Sequence, residues 1–173
     1  MSEKDKHLIE KATIYVSLEP CAHYGKTPPC ADLIVAKKIP KVVVGCVDPF
    51  AEVAGKGIKK LRAAGIEVLV GVLEKECIQL NKRFFTFHQK KRPYIILKWA
   101  QSADGFIGKS GERILISNEY TNRLMHRLRA EEAAILVGTN SALNDDPSLT
   151  TRLWPGMNPV RCVIDKELRL PKT

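Results

Sequence analysis

The spacing of apolar positions along this chain changes several times, and each change marks a predicted element. Thr13-Ile14-Tyr15-Val16-Ser17-Leu18 is rich in β-branched residues and predicts a strand; Pro28-Pro29-Cys30 then leads into Ala31 to Lys38, which fits a short helix. Lys41 to Val47 predicts the next strand. Lys56 to Ala64 reads as a helix, with Leu61 four residues before Gly65 as a left-handed cap, and Ile66 to Val70 as the strand after it. This alternation predicts α/β units on a mainly parallel sheet. A helix from Glu74 places Cys77, Leu80, Phe84 and Phe87 at spacings of three and four, which predicts a buried face. It ends at the basic run Gln89-Lys90-Lys91-Arg92-Pro93, where a domain junction is expected between residues 91 and 92. Beyond it the pattern predicts a strand over Tyr94 to Trp99, a turn at Asp104-Gly105 and a helix capped by Ser117. Further strands are predicted at Ala134 to Val137 and Val160 to Ile164.

Composition narrows the function classes. The chain has 173 residues and a net charge of +9, with 45% apolar and 27% charged residues, proportions that exclude a disordered or collagen-like chain. No apolar run approaches the roughly 18 residues of a membrane span, and the charged start Met1 to Lys6 has no apolar core, so a cytoplasmic protein without a membrane role is expected. Aromatics are only 6% and no basic stripe alternates with them, so nucleic acid is not the expected partner of the positive charge. Charge type also changes at the junction: residues 1 to 91 hold fourteen Lys and two Arg, residues 92 to 173 four Lys and eight Arg. Arg presents a rigid fork that matches phosphate, so a phosphate-bearing ligand is expected in the second half, a solvated face being the alternative.

Five cysteines in a chain with no secretion signal argue for thiols or metal ligands rather than a disulfide framework. Cys46, Cys77 and Cys162 lie in apolar runs and read as small core residues. Cys21 and Cys30 differ. They follow a strand and open a helix in Leu18-Glu19-Pro20-Cys21-Ala22-His23-Tyr24-Gly25-Lys26-Thr27-Pro28-Pro29-Cys30, where a helix dipole favours thiolate, the form that binds zinc.

That segment resembles the zinc-binding loop of the bacterial bifunctional riboflavin-biosynthesis deaminase/reductase family, which belongs to the cytidine-deaminase-like zinc enzymes. The resemblance continues through Asp48-Pro49, Val53-Ala54-Gly55-Lys56-Gly57, Ala64-Gly65-Ile66 and Leu80-Asn81. In the second half it runs through Tyr94 to Gly105, Leu128-Arg129-Ala130, Ala134 to Thr139 and Asn144 to Arg152. It implies an α/β chain in which a cytidine-deaminase-like α/β/α domain over residues 1–91 precedes a dihydrofolate-reductase-like α/β domain over residues 92–173. The implied chemistry is zinc-dependent deamination of a phosphoribosylated diaminopyrimidine, followed by NADPH-dependent reduction of its ribose to a ribityl chain. Cys21 and Cys30 are the implied zinc ligands. Arg113, Arg129, Leu149 and Arg152 fall at substrate positions, and Gln101, Leu115, Ser141, Asp145 and Lys166 at positions lining NADP(H); Arg113 and Leu115 stand where the family often has Ser and Trp. The expected partner is a phosphorylated pyrimidine, and the expected assembly a homo-oligomer.

The family takes a third zinc ligand and a proton-shuttling glutamate from a His-Ala-Glu segment, and no His-x-Glu occurs in this chain. Both domains also read as shorter than the family's, so the chain is expected to be an internal piece of such an enzyme. Glu19 precedes Pro20 and belongs to the loop frame. His23 is expected on a pocket rim, His88 on the surface, and His126 beside Arg129 or in solvent. A second reading is a non-catalytic zinc-stabilised assembly module.

Overall fold

The computed structural model describes residues 6–50, 53–109, 112 and 114–171, with side chains from residue 8 onward. The chain divides into two compact units, Met1–Ile96 and Leu97–Thr173.

In the first unit a short α1 (Lys6–Ile9) precedes β1 (Thr13–Leu18), α2 (Cys30–Ala36), β2 (Lys41–Cys46), α3 (Lys56–Ala63) and β3 (Glu67–Val70). The three strands form a parallel sheet in the order β1-β2-β3, with Ile14 opposite Val42 and Val42 opposite Val68. The middle strand is Val42-Val43-Val44-Gly45-Cys46, an unbroken apolar run, because helices cover it on both faces. Val42 and Val44 pack with Ala31 and Ile34 of α2 and Ile58 and Leu61 of α3. On the opposite face Gly45 makes room for the side chain of Cys77, so α4 (Glu74–Leu80) lies directly on the sheet. The end of α3 is closed as the sequence predicts: Gly65 has φ 79°, its N–H donates to the Arg62 carbonyl at 3.0 Å, and the Ile66 N–H donates to the Leu61 carbonyl at 3.1 Å.

The helix predicted from Glu74 is broken. It stops at Leu80, and α5 (Lys82–Lys90) starts after Asn81, whose side chain donates to the Cys77 carbonyl at 2.8 Å. The break turns the apolar face: Phe85 is buried, whereas Leu80 and Phe87 are exposed. His88 is not a surface residue among polar neighbours; its ring packs against Phe84 and Phe50 at centroid distances of 4.3 and 5.0 Å.

The second unit holds α6 (Glu119–Glu131), β4 (Ala134–Gly138), α7 (Thr139–Asp145) and β5 (Val160–Ile164). β4 and β5 pair in parallel, Ala134 opposite Val160 and Gly138 opposite Ile164. Asn118, not Ser117, caps α6, its Oδ1 accepting the Thr121 N–H at 2.9 Å; Asn places a carbonyl oxygen where the first turn's free N–H groups need an acceptor. Residues Tyr94 to Trp99 form no strand, since an apolar run becomes one only when its backbone pairs, and no ladder includes them among the described residues. The turn at Asp104-Gly105 is present, with Gly105 at φ 89° and the Ser102 N–H donating to the Phe106 carbonyl at 2.9 Å. Cys162 is exposed, not core, because β5 has neither face covered by described residues. Among the described residues of this unit only His126 and Pro159 are buried.

Candidate functional site

In the first unit a cavity of about 540 Å³ opens beyond the carboxyl end of β1, with Cys21, His23, Cys30, Asp48, Phe50 and His88 in its wall. Cys21 leaves the strand through Pro20, and Cys30 opens α2, so the two thiols meet across the loop. The Cys30 N–H donates to the Cys21 sulfur at 3.3 Å, and the Ala31 N–H donates to the Cys21 carbonyl at 3.1 Å. The hydrogen bond that the Cys30 thiol donates to the Cys21 sulfur, then burial and the neighbouring Cys21 charge, push the Cys30 thiol above the usual range. A second sulfur close by opposes ionisation of the thiol, as burial does.

This pair supplies two of the three protein ligands that a catalytic zinc takes. Among the described residues no cluster of three His, Cys, Asp or Glu is close enough to hold a metal ion. His23 is exposed and its ring stands edge-on to Phe50 at 6.4 Å. The two thiols therefore form an incomplete ligand set among the described residues.

Glu19 is the best-satisfied group of the cavity wall. Its own N–H continues the β1–β2 ladder by donating to the Cys46 carbonyl at 3.0 Å, which aims the carboxylate at the start of α3. There Oε1 accepts the N–H groups of Gly57 (2.9 Å) and Ile58 (3.2 Å), and Oε2 those of Gly55 (2.9 Å) and Asp48 (3.3 Å). The group is 4% exposed. Four donors on one carboxylate leave no lone pair directed at a reacting atom, so Glu19 holds the loop and does not carry protons. The Gly55-Lys56-Gly57 spacing was the available signal for this cradle, since a glycine at 57 permits the close approach of Pro20.

In the second unit α6 and the loop before β5 bring the arginines together. Arg129 Nη1 donates to the Thr150 carbonyl at 3.1 Å, and Arg152 Nη1 to Thr150 Oγ1 at 2.7 Å. The Arg152 N–H donates to His126 Nδ1 at 2.9 Å, and His126 Nε2 lies 3.5 Å from Arg129 Nη1. Burial, and then the charge of Arg152, lower the Arg129 pKa from its ordinary value. Burial, then Arg129 and Arg152, lower that of His126. No described carboxylate pairs with either guanidinium. Arg152 also lines a cavity of about 560 Å³ with Glu119, Arg123 and Trp154. Leu149 precedes this segment with a left-handed backbone, φ 54°.

The expected cofactor positions divide. Ser141 and Asp145 lie on α7, which starts at the carboxyl end of β4. Lys166 follows the carboxyl end of β5, so Ser141 and Lys166 share the sheet edge where open α/β sheets take ligands. Thr139 joins the two ends, its Oγ1 donating to the Ile164 carbonyl at 2.6 Å. Asp165 accepts the Leu170 N–H at 2.9 Å, which holds its carboxyl below the usual range. Gln101 accepts from the Trp99 indole at 3.0 Å and Leu115 is exposed; no hydrogen bond joins either to that edge among the described residues. Arg113 lies outside the described residues.

Comparison with known proteins places these two arrangements in one class. Residues 93–173 match the family model of the RibD C-terminal domain. The chain is 49% identical over 162 residues to the riboflavin biosynthesis protein RibD of Aquifex aeolicus, an alignment that takes in 92% of this chain and 46% of that protein. It is 41% identical to the Escherichia coli RibD, across 92% of this chain and 47% of the relative. Among solved structures it superposes with a TM-score of 0.83 at 45% identity on a Thermotoga maritima diaminohydroxyphosphoribosylaminopyrimidine deaminase/5-amino-6-(5-phosphoribosylamino)uracil reductase, covering 90% of this chain and 44% of that one. An Acinetobacter baumannii RibD gives a TM-score of 0.85 at 40% identity. These relatives are riboflavin-biosynthesis proteins, and the mixed α/β second half carries their C-terminal domain. Residues 93–173 belong to the RibD C-terminal domain family, and the residues before them align with RibD proteins as well. The chain spans a little under half the length of the curated relatives it matches. Among the described residues no helix is long and apolar enough to cross a membrane.

Proposed function

We propose that the second unit, a dihydrofolate-reductase-like fold, binds a phosphorylated pyrimidine intermediate of riboflavin synthesis in the cytoplasm and takes part in reduction of its ribose to a ribityl chain. The observation that carries this reading is the meeting of Arg129 and Arg152 on Thr150, two like charges without a described counter-ion. Both lie within residues 93–173, the stretch that matches the RibD C-terminal domain. Bringing two guanidinium groups together costs electrostatic free energy, and a phosphate repays it with charge-assisted hydrogen bonds. Leu149 and Arg113 are the further substrate positions of this proposal. NADPH, when bound, supplies the hydride. Ser141 and Lys166 fit its phosphates, since a hydroxyl and an ammonium stand at the carboxyl edge of β4 and β5. Asp145, a turn further along α7, suits a ribose hydroxyl rather than a phosphate; Gln101 and Leu115 are the remaining cofactor positions of this proposal.

The first unit is proposed to be cytidine-deaminase-like, with Cys21 and Cys30 as the two thiolates of a zinc site. Because Glu19 is consumed by backbone N–H groups, no deamination step is assigned to a described residue. Cobalt(II) added to the full chain is expected to give a thiolate charge-transfer absorption that Cys21→Ala abolishes; a band surviving that substitution would end the assignment of this pair.

Arg129→Ala and Arg152→Ala are each expected to weaken ribose 5-phosphate by about tenfold or more, since a charge-assisted contact contributes roughly 1.5–3 kcal/mol. Arg123→Ala, a helix-surface charge, should change it much less. Calorimetry at low and moderate salt is the measurement. Equal affinity in both arginine variants and the unaltered chain would remove the substrate assignment.

A further inference from the structure

His126 is one of only two buried residues among those described in the second unit, and a histidine is an unusual choice for such a place. Its hydrogen bonds settle which ring nitrogen carries the proton. The Arg152 backbone N–H can only donate, so the Nδ1 atom that receives it at 2.9 Å is unprotonated, and the proton of the neutral ring is on Nε2. Nε2–H then faces Arg129 Nη1 at 3.5 Å, donor against donor. Arg129 finds no acceptor on the ring and turns to the Thr150 carbonyl, at 3.1 Å. Two bonds thus tie one turn of α6 to the Thr150-Thr151-Arg152 segment: Arg129 to Thr150, and Arg152 to His126. A third, the Arg152 side chain to Thr150 Oγ1, folds the guanidinium back toward that turn.

We propose that His126 is a positioning residue for the anion site: as the Nε2–H tautomer it accepts the Arg152 backbone N–H, fixes that segment on α6, and thereby presents Arg129 and Arg152 to one phosphate group. This rests on the phosphate reading above and adds to it the group that assembles the site. The lowered pKa of His126 agrees with a ring that stays neutral between two guanidinium groups. Arg129 on the same helix and Arg152 on the facing loop are the described charges acting on it.

The role depends on an acceptor at the Nδ1 place, and side-chain chemistry can test that place specifically. Asn puts its carbonyl oxygen near the position of Nδ1, Gln puts it near that of Nε2, and Phe keeps the ring with no acceptor. Sulfate is the probe, because its charge is constant across the accessible pH range. In the full chain, His126→Asn should retain sulfate affinity within about threefold, whereas His126→Gln and His126→Phe should lose about tenfold; circular dichroism checks that all three fold. The amide of Arg152 should exchange with deuterium faster in His126→Phe than in His126→Asn. Long-range nitrogen-15 spectra of the unaltered chain should show the His126 proton on Nε2. A proton on Nδ1, or sulfate binding that His126→Gln and His126→Phe leave unchanged, would overturn the inference alone. No sulfate binding by the unaltered chain would overturn the phosphate reading and the inference with it.

Discussion

Replacing Glu19 by Ala should destabilise the first unit by about 3–5 kcal/mol, more than any surface substitution in the chain. The carboxylate accepts four backbone N–H groups, from Asp48, Gly55, Gly57 and Ile58, and each buried donor left without a partner costs roughly 1–3 kcal/mol. The four costs do not add in full, since water enters the gap that the lost side chain leaves. Glu19→Gln should fall between. It keeps the shape, but its amide group turns donors toward the N–H groups on one side, and the negative charge facing the start of α3 is gone. Hydrogen exchange along β2 is the suitable readout, because both tryptophans, Trp99 and Trp154, lie in the second unit. Glu67→Ala provides the contrast: its ion pair with Lys41, 2.8 Å apart and largely in solvent, should be worth under about 1 kcal/mol. Unchanged β2 exchange in Glu19→Ala would mean that the cradle is relaxed in solution and that Glu19 is free for other work.

Gly57→Ala is expected to cost about 3 kcal/mol, although Ala is the better helix former. A Cβ at this position would collide with the Pro20 carbonyl oxygen and come within 3.2 Å of Glu19 Oε1. Backbone meets backbone here, so no rotamer change relieves the clash. The loop must withdraw, and Cys21 moves with it, so the variant should also lose the cobalt absorption expected of the two thiols. Gly55→Ala separates space from conformation. Its Cβ would meet nothing, but its φ of 75° is left-handed, so it should cost about 1–2 kcal/mol and leave the cysteines in place. Thermal unfolding followed by circular dichroism measures both, and a Gly57→Ala chain as stable as its parent would show that the Pro20 contact is not formed.

The first unit was legible from pattern because its structure is local and repetitive. β-branched runs at Thr13 to Leu18 and Lys41 to Cys46 alternate with helical spacing, and Gly65 marks its own cap. The Cys21 and Cys30 pair was legible too, as a spacing within a recognisable loop. Reading failed where the outcome depended on a partner distant in the chain. Tyr94 to Trp99 is apolar enough for a strand, but a strand exists only through a neighbour's hydrogen bonds. Cys162 sits in an apolar run whose faces the described residues leave open.

The sequence by itself determined the α/β alternation, the break between two kinds of basic surface, and which residues could bear chemistry, because periodicity and residue type act over a few neighbours. Tertiary structure alone decided what those residues do. Glu19 became a clamp because a ladder bond aims it at the start of α3, 36 or more residues away, and His126 became buried because the Arg152 segment lies over it. A carboxylate or an imidazole is ambiguous until its partners are known, and those partners are set by contacts between segments far apart in the chain, which no local pattern encodes.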